Sequence, residues 1–197
     1  MRKGLLGIWL ALPLGAWAYH EGPGQDRMAL DDVDRVVGEA SSFVADEDWV
    51  AAVERYDRAL ELLPESAADA GLRIRLERDK ARMMAAQLPA ARADLQALVT
   101  ELLADDDADP NLLDQARSAL ANSQYYVTWL MRLEGLQREQ WEPEIEASRQ
   151  SYRLLAERAA AAGNQAALAR HEKDLEAAIR LARADLQDLQ GLPLPSQ

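Results

Sequence analysis

The sequence predicts an all-α fold, an array of helical hairpins closed by a C-terminal helix. Three observations carry this reading. The chain is rich in alanine, leucine, arginine and glutamate and poor in β-branched residues, a composition that favours helix. No stretch alternates apolar and polar residues between turn residues, as a half-buried strand would. Apolar residues instead recur at helical spacing in successive segments, parted by proline, glycine and acidic clusters. The 197 residues suffice for one domain or a short repeat array.

Met1–Ala18 reads as a targeting segment. Arg2 and Lys3 precede an apolar run from Leu5 to Leu14, followed by Ala16-Trp17-Ala18. These are the charged, apolar and small-residue regions of a secretory signal, and cleavage is expected after Ala18. The run falls short of the roughly 20 residues that span a bilayer, so an uncleaved N-terminal anchor is the alternative. On the first reading the protein is exported to the periplasm and the mature chain carries no membrane span. Residues 19–27, with Gly22, Pro23 and Gly24, are expected to be a flexible leader.

The first hairpin is the best specified. An initial helix near Val33 puts Val36, Ala40 and Phe43 on one face. The second helix, Asp48–Leu63, turns Trp49, Ala52, Val53, Tyr56, Ala59 and Leu60 inward, and Pro64 stops it. Small residues at 52 and 59 let two helices approach closely, and the aromatics fill the space between them. The order small, aromatic, small, proline in DWVAAVERYDRALELLP resembles the second helix of the tetratricopeptide repeat (TPR). That resemblance implies stacked helix–turn–helix units of about 34 residues, which hold other proteins rather than do chemistry. Glu39 departs from the family pattern, which has an apolar residue there.

Two further units follow. Ala67–Ala86 and Leu88–Ala104 read as helices split by Gln87–Pro89, with Pro89 in a first helical turn. Ala91, Leu95, Leu98 and Leu102 share one face, while the preceding helix carries Arg73, Arg75, Arg78, Lys80 and Arg82. Asp105–Asp109 is an acidic loop, and Asp109-Pro110 reads as an N-cap followed by proline. Leu112–Glu134 is the next helix, ended by Gly135. Trp141–Ala162 is its partner, with Pro143 in its first turn and Gly163 as its stop. Glu144 departs from the repeat, which has a small residue there.

The last helix, Gln165–Gln190, spaces Leu168, Leu175, Ala182 and Leu189 by seven. It is either a helix capping the array, so that the repeat domain spans residues 28–190, or a coiled-coil seam between chains. Residues 191–197 are expected to be a disordered tail.

Composition and motifs narrow the function. A net charge of -12 argues against nucleic acid, whose phosphates need an electropositive face, and against anionic membrane surfaces. Without cysteine there are no disulfides, thiolate metal sites or cysteine nucleophiles. His20 and His171 have no companions, and His171-Glu172 fails the zinc-protease spacing because Leu175 stands where the second histidine belongs. Asp105, Asp107, Asp109 and Asn111 alternate like a calcium loop, but Pro110 and Ala116 occupy the positions that need Gly and Glu. No catalytic residue, metal site or cofactor is therefore expected.

Expectation turns to a protein or peptide partner. If Gly135 fills the inter-helix glycine position of the repeat, Val127, Thr128, Leu130 and Met131 pack inward. The resemblance then implies that Asn122, Tyr125, Trp129, Arg132 and Leu133 line a concave groove; the competing reading buries Tyr125 and Trp129 under the neighbouring helix. Arg75, Arg78 and Arg82 either form a secondary basic face for a partner's carboxylates or, as such runs more often do, pair with acidic neighbours inside the chain. The stretch Tyr125–Glu157 resembles exported bacterial TPR proteins that accompany von Willebrand A-domain and MoxR-type ATPase systems, which implies a role in assembling an envelope complex. A structural oligomer through the 168–189 seam and a small-ligand binder using the Tyr125/Trp129 face are the other readings.

Overall fold

The computed structural model describes residues 23–185 and Leu189, with side chains from Arg27 onward. The expected signal segment and the 191–197 tail lie outside the described residues. Among those described, the chain forms seven α-helices and no strand. They are α1 (Pro23–Ala45), α2 (Trp49–Leu62), α3 (Ala68–Met84), α4 (Leu88–Ala104), α5 (Pro110–Leu133), α6 (Arg138–Ala161) and α7 (Gln165–Arg183). A short 3-10 turn, Glu65–Ala67, precedes α3. None of these helices is long and apolar enough to cross a membrane.

Three boundaries differ from expectation. Helix α1 begins at Pro23, so part of the expected leader is helical. Proline fits a first helical position because its missing N–H has no partner there in any case. Helix α6 begins at Arg138. Gln137 and Gln140 form a reciprocal cap, which places Pro143 inside the helix rather than in its first turn. Helix α7 ends at Arg183, because Ala184 turns to extended backbone at φ -60, ψ 147.

Four of the six turns between the described helices share one chemistry. A residue with positive φ sits at Glu47, Ala86, Gly135 and Gly163. The N–H of the following residue bonds back five positions, from Asp48 to Phe43 O, Gln87 to Arg82 O, Leu136 to Met131 O and Asn164 to Ala159 O. This satisfies carbonyls that the helix end would otherwise leave open. Gly135 and Gly163 take the left-handed conformation without strain, whereas Ala86, at φ 59, pays for its Cβ. Ala86→Gly is therefore expected to stabilise the fold by about 0.5–1 kcal/mol, read as a higher urea midpoint. Three helices, α2, α5 and α7, start on side-chain caps. Asp48 accepts from Ala51 N at 3.2 Å, Asp109 from Asn111 N at 2.9 Å and Asn164 from Ala167 N at 3.1 Å.

The chain divides into two compact units, Met1–Arg78 and Asp79–Gln197, and the border falls within α3. In the first unit α1 packs on α2. Val33, Val36 and Ala40 from α1 are buried, as are Ala52, Val53, Tyr56 and Ala59 from α2, with Ala40, Ala52 and Ala59 at 0% exposure. The small residues that suggested close approach are thus fully enclosed. Glu39 sits half-buried at the edge of this core, 2.8 Å from Arg35 and 3.6 Å from Arg55. Ala59→Leu would force a larger side chain into a filled space and is expected to cost about 1–3 kcal/mol in denaturant unfolding.

In the second unit consecutive helices pack, α4 on α5, α5 on α6 and α6 on α7. Ala91, Leu95, Leu98 and Leu102 of α4 are buried, as their spacing predicts. The α7 seam faces inward. Leu175 and Ala182 pack against a core that includes Leu181, Leu189, Ile145 and Tyr152. Three of the four seam positions, Leu175, Ala182 and Leu189, thus meet this unit's own core.

Candidate functional site

Helix α5 is the centre of the second unit. Seven consecutive residues, Ala119, Leu120, Ala121, Asn122, Ser123, Gln124 and Tyr125, are buried. An amphipathic helix buries one stripe, so a run of seven means that neighbours enclose α5 all round. This overturns part of the expected groove. Tyr125 is 0% exposed and Asn122 is 7% exposed, so neither offers its side chain to a partner. Of the residues expected inside, Thr128 is buried and Met131 packs against the core, whereas Leu130 is exposed.

Chemistry from α6 explains why Asn122 is inside. The Tyr152 hydroxyl donates to Asn122 Oδ1 at 2.5 Å. One helical turn earlier, Ser148 Oγ donates to Ala121 O at 2.9 Å. Ser123 and Thr128 turn their hydroxyls back onto α5, to Leu120 O at 2.7 Å and Gln124 O at 2.8 Å. Satisfied in this way, polar side chains can line a core. Burial raises the Tyr152 phenol strongly and pushes Tyr125 up to about 12, so both stay neutral.

The remaining groove residues stand at the C-terminal end of α5. Trp129 is partly buried and its Nε1 donates to Leu189 O at 3.2 Å. The Arg132 guanidinium donates to Leu181 O and Ala184 O, and it lies 4.8 Å from the ring centroid of Trp141. It thereby caps the α7 C-terminus, where a cation meets the negative end of the helix dipole. Burial lowers its pKa, partly opposed by Asp185. Leu133 alone of the five is well exposed, at 40%, with Leu130 beside it at 41%. The structure thus brings Trp129 and Arg132 together on one segment and places Asn122 and Tyr125 in the core.

The basic face is likewise partnered inside the chain. Arg78 lies 3.2 Å from Asp57, and Arg82 lies 2.6 Å from Asp94 and 3.3 Å from buried Asp79. Arg75 is half-buried and also engaged. The three arginines therefore hold helices together more than they present a free cationic surface. Arg92 makes a further link, from α4 to Glu144 of α6 at 2.5 Å.

Sequence reasoning missed the interior of α7. His171 and Asp174 are 5% and 1% exposed, with His171 Nδ1 3.9 Å from Asp174 Oδ2, beyond hydrogen-bonding reach. Their signal was spacing, since His171 falls between Leu168 and Leu175 on the inward stripe. Burial, reinforced by Arg170, lowers the His171 pKa, while Asp174 and Asp114 oppose this. The folded state therefore binds the proton less readily than the unfolded state. Stability from this residue is fully present above the unfolded pKa of about 6.5 and is lost as pH falls through the lower folded value. A fall in the urea midpoint below about pH 6.5, reduced in His171→Gln, is expected.

No protein-family model matches the sequence, and no curated protein matches it. Among the described residues no group of three or more His, Asp and Glu is placed to hold a metal ion.

Proposed function

We propose that the chain is a non-catalytic protein-interaction scaffold, a TPR-like array of helical hairpins exported to the periplasm. The observation that carries this is the first hairpin. Ala40, Ala52 and Ala59 are fully buried and Tyr56 fills the contact, with a proline just past the helix end, which is the repeat's own packing recipe. Helices joined by one recurrent turn chemistry support the array reading. The signal-like N-terminus supports export, and the Tyr125–Glu157 resemblance supports a partner in an envelope complex of the von Willebrand A-domain and MoxR type.

With Asn122 and Tyr125 inside, recognition moves to the end of α5, where Leu130 and Leu133 are exposed beside Trp129 and Arg132. The test is photo-crosslinking in the native envelope, with the probe residue at Leu133 and, for comparison, at exposed Val50. A single adduct of defined mass at Leu133, absent at Val50, is expected. The same adducts at both positions, or none at Leu133, would refute the scaffold reading at this surface.

A further inference from the structure

Helix α7 is held by two chemistries along one inward stripe. Its C-terminal half meets the core through Ala177, Ala178 and Leu181, and Arg132 of α5 bonds its last carbonyls. Its N-terminal half turns His171 and Asp174 inward, where a packed helix ordinarily has apolar residues. The two are 5% and 1% exposed, and His171 Nδ1 is enclosed without a hydrogen bond. Native cores seldom leave such an atom unpartnered.

The charged groups around His171 come from three helices. Its own helix supplies Arg170, which disfavours a proton on the ring, and Asp174, whose Oδ2 lies 3.9 Å away. Helix α5 supplies Asp114, which is already held by Arg158 of α6 at 2.9 Å and by Arg117 of α5 at 3.6 Å. Helix α6 also supplies the Tyr152 phenol, which stays neutral and donates to Asn122. Among the described residues no acceptor is therefore placed for an N–H at Nδ1. An imidazolium formed there loses water and gains no hydrogen bond at that nitrogen, so it is better solvated when α7 lifts away.

The order of packing allows that movement. Helix α7 is the last of the described helices, and α4 packs on α5 and α5 on α6 without it. It can open by itself while the rest of the unit stays closed. Opening bares the α6 face around Ile145 and Tyr152, which shares a core with α7.

We propose that α7 is a proton-released cover: charging His171 shifts it from packed to open on the α4–α6 stack, so that the surface beneath is offered in acid and closed at neutral pH. The direction follows from linkage. Burial holds the ring neutral in the packed state, so each pH unit below the ordinary value of about 6.5 multiplies opening by about ten. From pH 7.5 to pH 5.5 the expected rise is about tenfold. The device is independent of the surface at Leu133.

Hydrogen exchange of the full chain, read by mass spectrometry at pH 7.5 and 5.5 and corrected for intrinsic rates, tests this. Amides of Gln165–Arg183 should exchange about tenfold faster at the lower pH, while those of α2 and of α5 keep their protection. His171→Gln, or His171→Leu where the amide is not tolerated, should abolish the rise, and Asp174→Asn should retain it. The inference is overturned if α7 exchange in the parent is the same at both pH values, or if every helix accelerates together, since neither is a local opening. It is equally overturned if the rise survives the loss of His171 or vanishes in folded Asp174→Asn, because the proton then acts elsewhere.

Discussion

Tyr125→Ala is expected to destabilise the second unit by about 3–5 kcal/mol, the range for deleting a large enclosed aromatic. The side chain is 0% exposed, meets Tyr126 edge-on at a centroid distance of 5.8 Å, and belongs to the core with Trp141, Ile145 and Tyr152. Residues 119–125 of α5 are buried without a break, so the surroundings of Tyr125 have little freedom to collapse into the space. Urea unfolding followed by circular dichroism checks this. A midpoint equal to the parent's would restore Tyr125 to the surface and with it the groove expected from the sequence.

The second large effect is at Arg132. Arg132→Ala is expected to cost about 2–3 kcal/mol. Hydrogen bonds from a charged donor contribute about 1.5–3 kcal/mol, and burial of the guanidinium offsets part of that gain. The loss leaves the Leu181 and Ala184 carbonyls at the α7 terminus without this donor and exposes the Trp141 face. Arg132→Lys should recover only part, since an ammonium lacks the planar fork that spans two carbonyls. Thermal melts of the three proteins decide it, and equal melting temperatures for Arg132→Ala and the parent would show that the cap contributes nothing.

Much of the fold was legible because it is local. Gly135, Gly163 and the Asp109-Pro110 pair mark helix ends through backbone geometry and capping that involve only adjacent residues. Ala52, Tyr56 and Ala59 announce a close helix contact by size and spacing alone. The site was not legible, because its logic is long-range. Asn122 reads as a groove residue until Tyr152, thirty positions away, is known to bond it. Likewise the repeat of seven through Ala182 and Leu189 suggested a continuous helix. No pattern in that stretch reveals that Arg132 takes the carbonyl of extended Ala184. Pairing of the basic run Arg73–Arg82 within the chain was the readier expectation, but its partners were not legible, since Asp57 and Asp94 lie in other helices.

The enclosure of residues 119–125 also sets where this protein tolerates change. An insertion anywhere in the middle of α5 would rotate every later side chain by about 100° and drive polar groups into apolar neighbours. The connection before it is the opposite case. Asp105, Asp106 and Asp107 are exposed, and Asp105 already closes a local turn through Asp107 N at 3.0 Å. A reporter or an added domain placed in that loop would meet solvent on every side, while the helix that follows restarts on its own Asp109 cap. The most and least permissive points of the second unit thus lie little more than ten residues apart.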